Sequence, residues 1–573
     1  MAEQFEAVVI GSGFGGAINA CRLSKKWPGK VLVLERGKRY PMGSFPRSPH
    51  DVARNFWNVS AESRPGAATV ASEETHGLFD VRSFDHLDVV ICAGLGGGSL
   101  IYANVFLEPP EEVFDNRWPA GCKKSDLAPY YRIAKSVLGA RPVPQNDDPR
   151  RRIVRTERFQ EVARKLGRPT KLTDINVFFG NDFDNPLPIG QQERNRYGAL
   201  QTSCVYCAEC DVGCNTHSKN TLDLNYLFVA ENRYGCDIRT EHLVEKITVL
   251  NEHGDEDPEA DGSHGFRVYF NDLGTEGGAP ASVLSKRVVV SAGSLGSTEI
   301  LLRCKERFGT LPRLSNRLGQ QFSPNGDFLG FVLGGKEESV PNYGPVITQR
   351  TDFNLLDDFQ REHAFVLEDA AYPAFAAWFA EGSKPGFLRL GPLWRTVKSV
   401  FSRLMSGASL GSMGFAFSGV MSGDISQNTS VLLCMGIDKA NGVMALDANG
   451  CIEIRWPYRD SMSLYDSIVR AGNDFCRSVG GKKFVALPTW YPPARRNVGV
   501  HALGGCVLGD GPDNGVVSAE RATFGEAFGY RGLYVADGGI IPTAVGANPI
   551  ATISALSEMI AEGITGIAPD ADL

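Results

Sequence analysis

The run Gly11-Ser12-Gly13-Phe14-Gly15-Gly16, directly behind the apolar stretch FEAVVI at 5–10, restricts this chain more than any other feature. It matches G-x-G-x-x-G. The preceding residues read as a buried strand, the following AINACRLSKK as a helix, and Val31–Leu34 as a second strand. Glu35 closes that second strand, 19 residues after Gly16. In such a β–turn–α–β unit Gly11 permits the tight turn. Gly13 lets the backbone approach a pyrophosphate, beside Phe14 and Gly15, and Gly16 lets helix and strand pack closely. The helix N-terminus stabilises phosphate charge. Glu35 can accept hydrogen bonds from an unmodified ribose and repels a 2′-phosphate. These residues predict a dinucleotide site, without deciding between NAD and FAD.

A chain of 573 residues exceeds what one core organises, so at least two domains are expected. With 43% apolar and 22% charged residues the composition is globular. A net charge of −7 argues against a nucleic-acid partner held through phosphates. There is neither an apolar run of about 18 residues nor a basic, apolar and small-residue leader, so a cytoplasmic enzyme is the expectation. Thirteen cysteines, an odd number, fit a reducing compartment better than a disulfide framework.

Strand and helix patterns recur at KRVVVSAG and STEILLR near 286–303, at GLYVADGG from 532, and in a final helix over about 549–564. Between about 325 and 490 the texture changes to strands, turns and aromatics. The predicted fold class is α/β, α+β overall. A Rossmann-like domain assembled from discontinuous segments, 1–325 and 491–573, carries an inserted substrate domain at 326–490 built on an antiparallel sheet. The acidic stretch 251–263 reads as a hairpin loop.

Five ordered blocks carry a family resemblance. AGLGGGSLIYANV (93–105) offers bare backbone at Gly96-Gly97-Gly98-Ser99, where side chains would obstruct a flat ring. SAGSLGSTEILLR (291–303), LGQQFSPNGD (318–327), VHALGGCVLG (500–509) and GLYVADGGIIPTAVGANPIATISALSE (532–558) follow in order. Together they resemble the glucose–methanol–choline (GMC) oxidoreductases, especially the cholesterol-oxidase branch. The resemblance implies FAD and a CH–OH donor. By match it puts Gly11, Gly13, Gly16, Glu35, Gly97, Ser99, Asn104, Asp537 (with Gly538) and Asn548 (with Pro549) at or near the flavin, and Val244 at the adenine.

His501 matches the family's histidine on the substrate side of the flavin. An imidazole there accepts or orients the hydroxyl proton as hydride leaves the carbinol carbon. Asn548-Pro549 reads as an N-cap and first helical residue. Asn548 is a cap, a carboxamide for the substrate oxygen, or both. The family branch also isomerises a steroid double bond with a glutamate, but Ala376 or Ala377 stands at that register. Glu368 and Asp369 lie upstream and read as strand-end charges, so isomerisation is not expected.

Cys204-x2-Cys207-x2-Cys210-x3-Cys214, within the loop 200–216, has the bacterial ferredoxin spacing. Its readings are an iron–sulfur cluster of 4Fe-4S or 3Fe-4S type, a zinc site, or plain buried thiols and disulfides. A cluster offers reduced flavin a one-electron exit to a redox protein or quinone-type acceptor. In 388–405, Trp394, Val397, Val400, Phe401 and Leu404 recur at helical spacing with Arg395, Lys398 and Arg403 on other faces. That is a core-packed helix or a lid making peripheral membrane contact. The expected function is FAD-dependent oxidation of a bulky apolar alcohol (sterol, terpenoid or long-chain), with His501 and Asn548 as catalytic residues. The alternative is a flavin-bearing electron-transfer or binding module without alcohol chemistry.

Overall fold

The computed structural model describes residues 3–573 other than 58–75, 146–147, 276–278, 357, 375, 377–425 and 494. The segment 388–405 and Ala377 lie outside the described residues.

The glycine turn joins β1 (Ala7–Ile10) to α1 (Phe14–Lys26), which returns to β2 (Val31–Leu34). Both strands are buried throughout and parallel, Val8 opposite Leu32 and Ile10 opposite Leu34. Strands covered on both faces need continuous apolar residues, which explains VVI and VLVL. The expected strand at 5–10 divides at Glu6, because Gln4–Phe5 pairs with Ala279–Ser285 in a separate four-stranded sheet. Three chain-distant strands complete the five-stranded parallel sheet, in the order Leu533–Val535, Val288–Val290, β1, β2, Asp237–Arg239. The discontinuous assembly read from the sequence is therefore present.

The C-terminal helix, Ile550–Thr565, packs on α1. A buried bidentate pair joins them, Arg22 Nε and Nη2 donating to Glu558 at 2.8 and 2.9 Å. Tyr226 Oη donates to the same carboxylate at 2.7 Å. Deleting one partner of such a pair costs about 3–5 kcal/mol, so the two helices, whose N-termini both meet the site, are firmly related.

A six-stranded antiparallel sheet faces them. Its central strands are β3 (Phe328–Leu333), β4 (Gln349–Phe353), β5 (Phe365–Ala370) and β6 (Ser430–Gly436), in the order β3–β6–β5–β4. Lys483–Ala486 and Lys171–Leu172 form its edges, so a strand from well before residue 326 contributes. A 17-residue helix, Met462–Ser478, packs against β3. The sequence reading missed it: Leu464, Tyr465, Ile468, Ala471 and Phe475 form its buried stripe, but Gly472 lowers its propensity. The acidic stretch 251–263 is the connection between antiparallel strands His242–Val249 and Phe266–Asp272, as expected. No helix among the described residues is long and apolar enough to cross a membrane.

Candidate functional site

A cavity of about 2000 Å³ runs from the glycine turn to the six-stranded sheet. Gly11, Gly13, Phe14, Gly15, Glu35, Gly97, Gly98, Val244, Asp537, Gly538, Asn548, Pro549 and His501 all line it. The tertiary structure thus brings most predicted site residues to one space. Gly16, Gly96, Ser99 and Asn104 are absent from its walls and serve behind them. A Cβ on Gly16 would meet the Gly11 carbonyl oxygen at 2.0 Å, the close packing expected of it. Ser99 Oγ donates to the Gly96 carbonyl (2.7 Å) and accepts from Leu222 N–H (3.1 Å), fixing the second glycine turn. Asn104 is fully buried at φ +71°, its carboxamide without a hydrogen-bond partner.

The two glycine turns touch through bare backbone. Gly97 has φ +52°, and a Cβ there would lie 2.6 Å from Gly13 Cα. Gly13 and Gly98 instead face open space, with nothing within 4 Å of a Cβ position. A cofactor's phosphates and flat ring can therefore reach the main chain on this wall. Ser12, missed in the sequence, ties the turns together. Its N–H and Oγ donate to Glu35 Oε2 (3.0 and 2.6 Å), and Oγ accepts from Gly96 N–H (3.0 Å). Glu35 Oε1 also accepts from Gly37 N–H at 2.8 Å. Glu35 therefore buttresses the turn as well as lining the cavity. Asp537 is buried and holds Ser297 Oγ (2.5 Å) and Gly539 N–H (2.7 Å); burial pushes its carboxyl up to about 6.

The substrate end is apolar. Leu329, Phe331 and Leu333 alternate along β3, and Val431 and Leu433 on β6 and Ala370 on β5 continue that wall. Against it stands an acid–imidazole pair. Nδ1 of His501 lies 2.7 Å from Asp327 Oδ1, while Asp327 Oδ2 accepts the N–H groups of Val500 (2.7 Å) and His501 (3.0 Å). A carboxylate only accepts, so Nδ1 carries the hydrogen, and in the neutral imidazole Nε2 is then the nitrogen with the free lone pair. Asp327 closes the LGQQFSPNGD block, but nothing local marks it as His501's partner.

Two residues earlier, Asn325 (φ +56°) organises the other half. Its Oδ1 accepts from Val545 N–H (2.9 Å) and Gly546 N–H (3.3 Å), and Nδ2 donates to the Ala547 carbonyl (2.8 Å). One short loop thereby fixes both His501 and the segment leading into Asn548. The final helix starts at Ile550, and the Asn548 side chain does not cap it. Its Oδ1 is buried without a partner, and Nδ2 has Met435 Sδ at 4.0 Å and the Glu368 carboxyl as neighbours. Of the two readings of Asn548, the carboxamide left for another group fits this geometry.

Glu368 corrects the sequence reading. It lies within β5, fully buried, with the Asn548 carboxamide beside its carboxyl. It is not a strand-end charge. Asp369 points to the opposite face and is satisfied by Thr348, Gln349 and Arg155.

The four clustered cysteines are free, as are the other nine, so the disulfide reading finds no support. All four line one small cavity of about 20 Å³ with Ser218, Lys219, Gly344 and Pro345. Burial pushes the thiol of Cys207 up to about 12 and those of Cys204 and Cys210 upward. Among the described residues no three His, Cys, Asp or Glu side chains are placed to share one metal ion. Lys219 Nζ, fully buried, donates to the carbonyls of Cys210 (2.9 Å), Leu100 (3.1 Å) and Tyr102 (2.8 Å), joining the cysteine loop to the second glycine turn.

Two family models described as GMC oxidoreductase match residues 83–306 and 489–557. The chain is 28% identical over 590 residues to a cholesterol oxidase of Acinetobacter baumannii, covering 97% of this chain and 93% of that protein. It is 28% identical over 586 residues to a cholesterol oxidase of Mycobacterium tuberculosis, covering 98% and 91%. Among solved structures, pyridoxine 4-oxidase from Mesorbium loti superposes with a TM-score of 0.58 at 15% identity, over 97% of this chain and 98% of that one. A formate oxidase variant from Aspergillus oryzae gives 0.59 at 15%, over 98% of both. At that identity the two structures establish the fold.

Proposed function

The chain belongs to the GMC oxidoreductase family, FAD-dependent enzymes of CH–OH donors, and from that premise we propose that it oxidises a bulky apolar alcohol, with a sterol the first candidate. The single observation that carries this is that His501, held by Asp327, lines one cavity together with Asn548 and the apolar face of the sheet. The glycine wall around Gly13 and Gly98 would hold FAD, with Glu35 and Val244 toward its adenosine half. Bound FAD supplies the hydride acceptor.

The protein's own contribution is then threefold. The wall formed by Leu329, Phe331, Val431 and Leu433 takes the hydrocarbon and excludes water. Nε2 of His501 accepts the hydroxyl proton, its tautomer held by Asp327. Asn548 and the N-terminus of the last helix, both on the cavity wall, would stabilise negative charge growing on the substrate oxygen and on the reduced flavin. General-base help of this kind is worth about 10²–10⁴-fold. Sterol oxidation is supported by the two relatives named cholesterol oxidase and by the size of the cavity.

For the electron exit, the same reading takes Cys204, Cys207, Cys210 and Cys214 as ligands of an iron–sulfur cluster. What supports this is the ferredoxin-like spacing and the lining of one small space by all four thiols. The Lys219 bridge places that loop directly behind the second glycine turn. Oxygen, a redox protein or a quinone then completes turnover. Anaerobic titration of the purified protein with cholesterol, a terpenoid alcohol and a long-chain alcohol tests the first part: flavin absorbance must bleach with at least one. Iron and sulfide assays of anaerobically purified protein test the second, and metal-free protein with undiminished turnover would remove it.

A further inference from the structure

Asp438 lies two residues beyond β6 and is 2% exposed, with no cation paired to it among the described residues. A buried carboxylate without a cation must be held by hydrogen-bond donors, and Asp438 has three. Its Oδ2 accepts from Ser323 Oγ (2.7 Å) and Gly326 N–H (2.8 Å), and its Oδ1 from Ala440 N–H (2.7 Å). Ser323 and Gly326 belong to the loop 323–327 that carries Asn325 and Asp327. The loop also meets the end of β6 through bare backbone. Gly436 N–H donates to the Asn325 carbonyl (3.1 Å), and a Cβ on Gly326 (φ +60°) would lie 2.5 Å from the Gly436 oxygen. Ser323 passes the contact on. Its Oγ accepts from Asn325 N–H (2.9 Å), and its backbone pairs in both directions with Leu503 (2.9 and 3.0 Å), two residues after His501. β6 itself supplies Val431 and Leu433 to the substrate wall. One side chain from outside the loop thus joins the substrate sheet to the Asp327–His501 pair and to the Asn325 clamp on 545–547.

We infer that Asp438 is a positioning residue: it latches the loop 323–327 to the substrate strand, so that Asp327 holds His501 at a fixed place against the apolar wall. Its own hydrogen bonds end at Ser323, Gly326 and Ala440, so it acts through the loop. The latch needs both carboxylate oxygens as acceptors, which is the ionised form. Burial, with Asp327 nearby, pushes the carboxyl up to about 6, so it is still ionised at neutral pH. An asparagine at 438 has one accepting oxygen. If that oxygen serves Ser323 and Gly326, the NH₂ faces the Ala440 N–H. If it serves Ala440, the NH₂ faces the Gly326 N–H. Either way donor confronts donor and the latch loosens. Asp438 exchanges no proton in the reaction; the substrate proton goes to His501.

This deepens the alcohol-oxidation reading and rests on it, so the test has an arm independent of turnover. Crystal structures of FAD-loaded wild type and Asp438→Asn should show the Asp327–His501 contact, 2.7 Å in the native arrangement, opened or split between two positions in the variant. With cholesterol as the probe alcohol and matched FAD content, flavin reduction at saturation should fall about 10²-fold in Asp438→Asn, the scale of a misplaced catalytic contact, while half-saturating cholesterol changes little. A double-mutant cycle separates positioning from general weakening. Asp327→Asn already removes what the latch aims, so the double variant should lose much less than the product of the two single losses. Ser323→Ala, which removes one contact and leaves the carboxylate in place, should show the same pattern at smaller amplitude, and it carries the test if Asp438→Asn does not fold. An unmoved Asp327–His501 contact, a reduction rate within about threefold of wild type, or losses that multiply in the double variant overturns the inference. A contact that opens in the variant of an enzyme whose wild type is bleached by no alcohol upholds the latch and overturns the oxidation reading instead.

Discussion

Replacing Asp327 with asparagine alters one atom and inverts the proton inventory of the site. In the native arrangement one carboxylate oxygen serves two backbone N–H groups, from Val500 and His501, and the other faces His501 Nδ1 at 2.7 Å. In Asp327→Asn the single remaining oxygen stays with the two backbone donors, because an amide NH₂ cannot accept from them. The NH₂ then faces Nδ1, which must turn acceptor, and the imidazole hydrogen moves to Nε2. A protonated Nε2 has no lone pair for the alcohol. The loss should equal the whole general-base contribution, about 10²–10⁴ in rate, or roughly 3–5 kcal/mol of barrier. Stability should fall less, by about 1–3 kcal/mol, as a charged hydrogen-bond acceptor becomes neutral. The assay is anaerobic stopped-flow bleaching of the flavin at saturating alcohol, on protein whose FAD content matches wild type. The reasoning predicts a collapse in the reduction rate with little change in half-saturating alcohol. A fully flavinylated variant that reduces within about threefold of wild type would refute it, since that corresponds to well under 1 kcal/mol.

Gly97→Ala places a methyl 2.6 Å from Gly13 Cα at a left-handed backbone position, so FAD stoichiometry after purification should fall sharply while far-ultraviolet dichroism stays close to wild type. Asn325→Ala strands three backbone groups at 545–547 and should cost about 1–3 kcal/mol for each unsatisfied group, measurable as a lowered Tm together with slower flavin reduction. Glu368 also links stability to pH. Its folded value, about 8, exceeds the ordinary 4.5, so the stability it confers is full below 4.5 and is lost as pH rises to about 8. Glu368→Gln should therefore gain Tm relative to wild type across that window and show no further relative gain above it. A difference that is flat from acid to alkaline pH would contradict the linkage.

Some of this was legible along the chain because local chemistry determines it. The glycine turn, the apolar strands on either side and the following helix obey backbone geometry and periodicity, which operate over a few residues. His501 and Asn548 stood out as candidates because they sit inside ordered blocks that resemble a known family. The helix Met462–Ser478 escaped notice because its stripe is interrupted by Gly472, and packing on the sheet, not propensity, secures it.

What the tertiary structure alone decided is which charges meet. Asp327 looked like one more acid in a turn until the fold set it against an imidazole 174 positions away. Glu368 and Asp369 are adjacent, yet the two-residue period of a strand sends one to a saturated hydrogen-bond network and the other to an apolar wall beside Asn548. Burial and partner choice are set by elements far apart in sequence. A side chain's protonation follows its surroundings, so the sequence determined the cradle and the fold determined its acid–base chemistry.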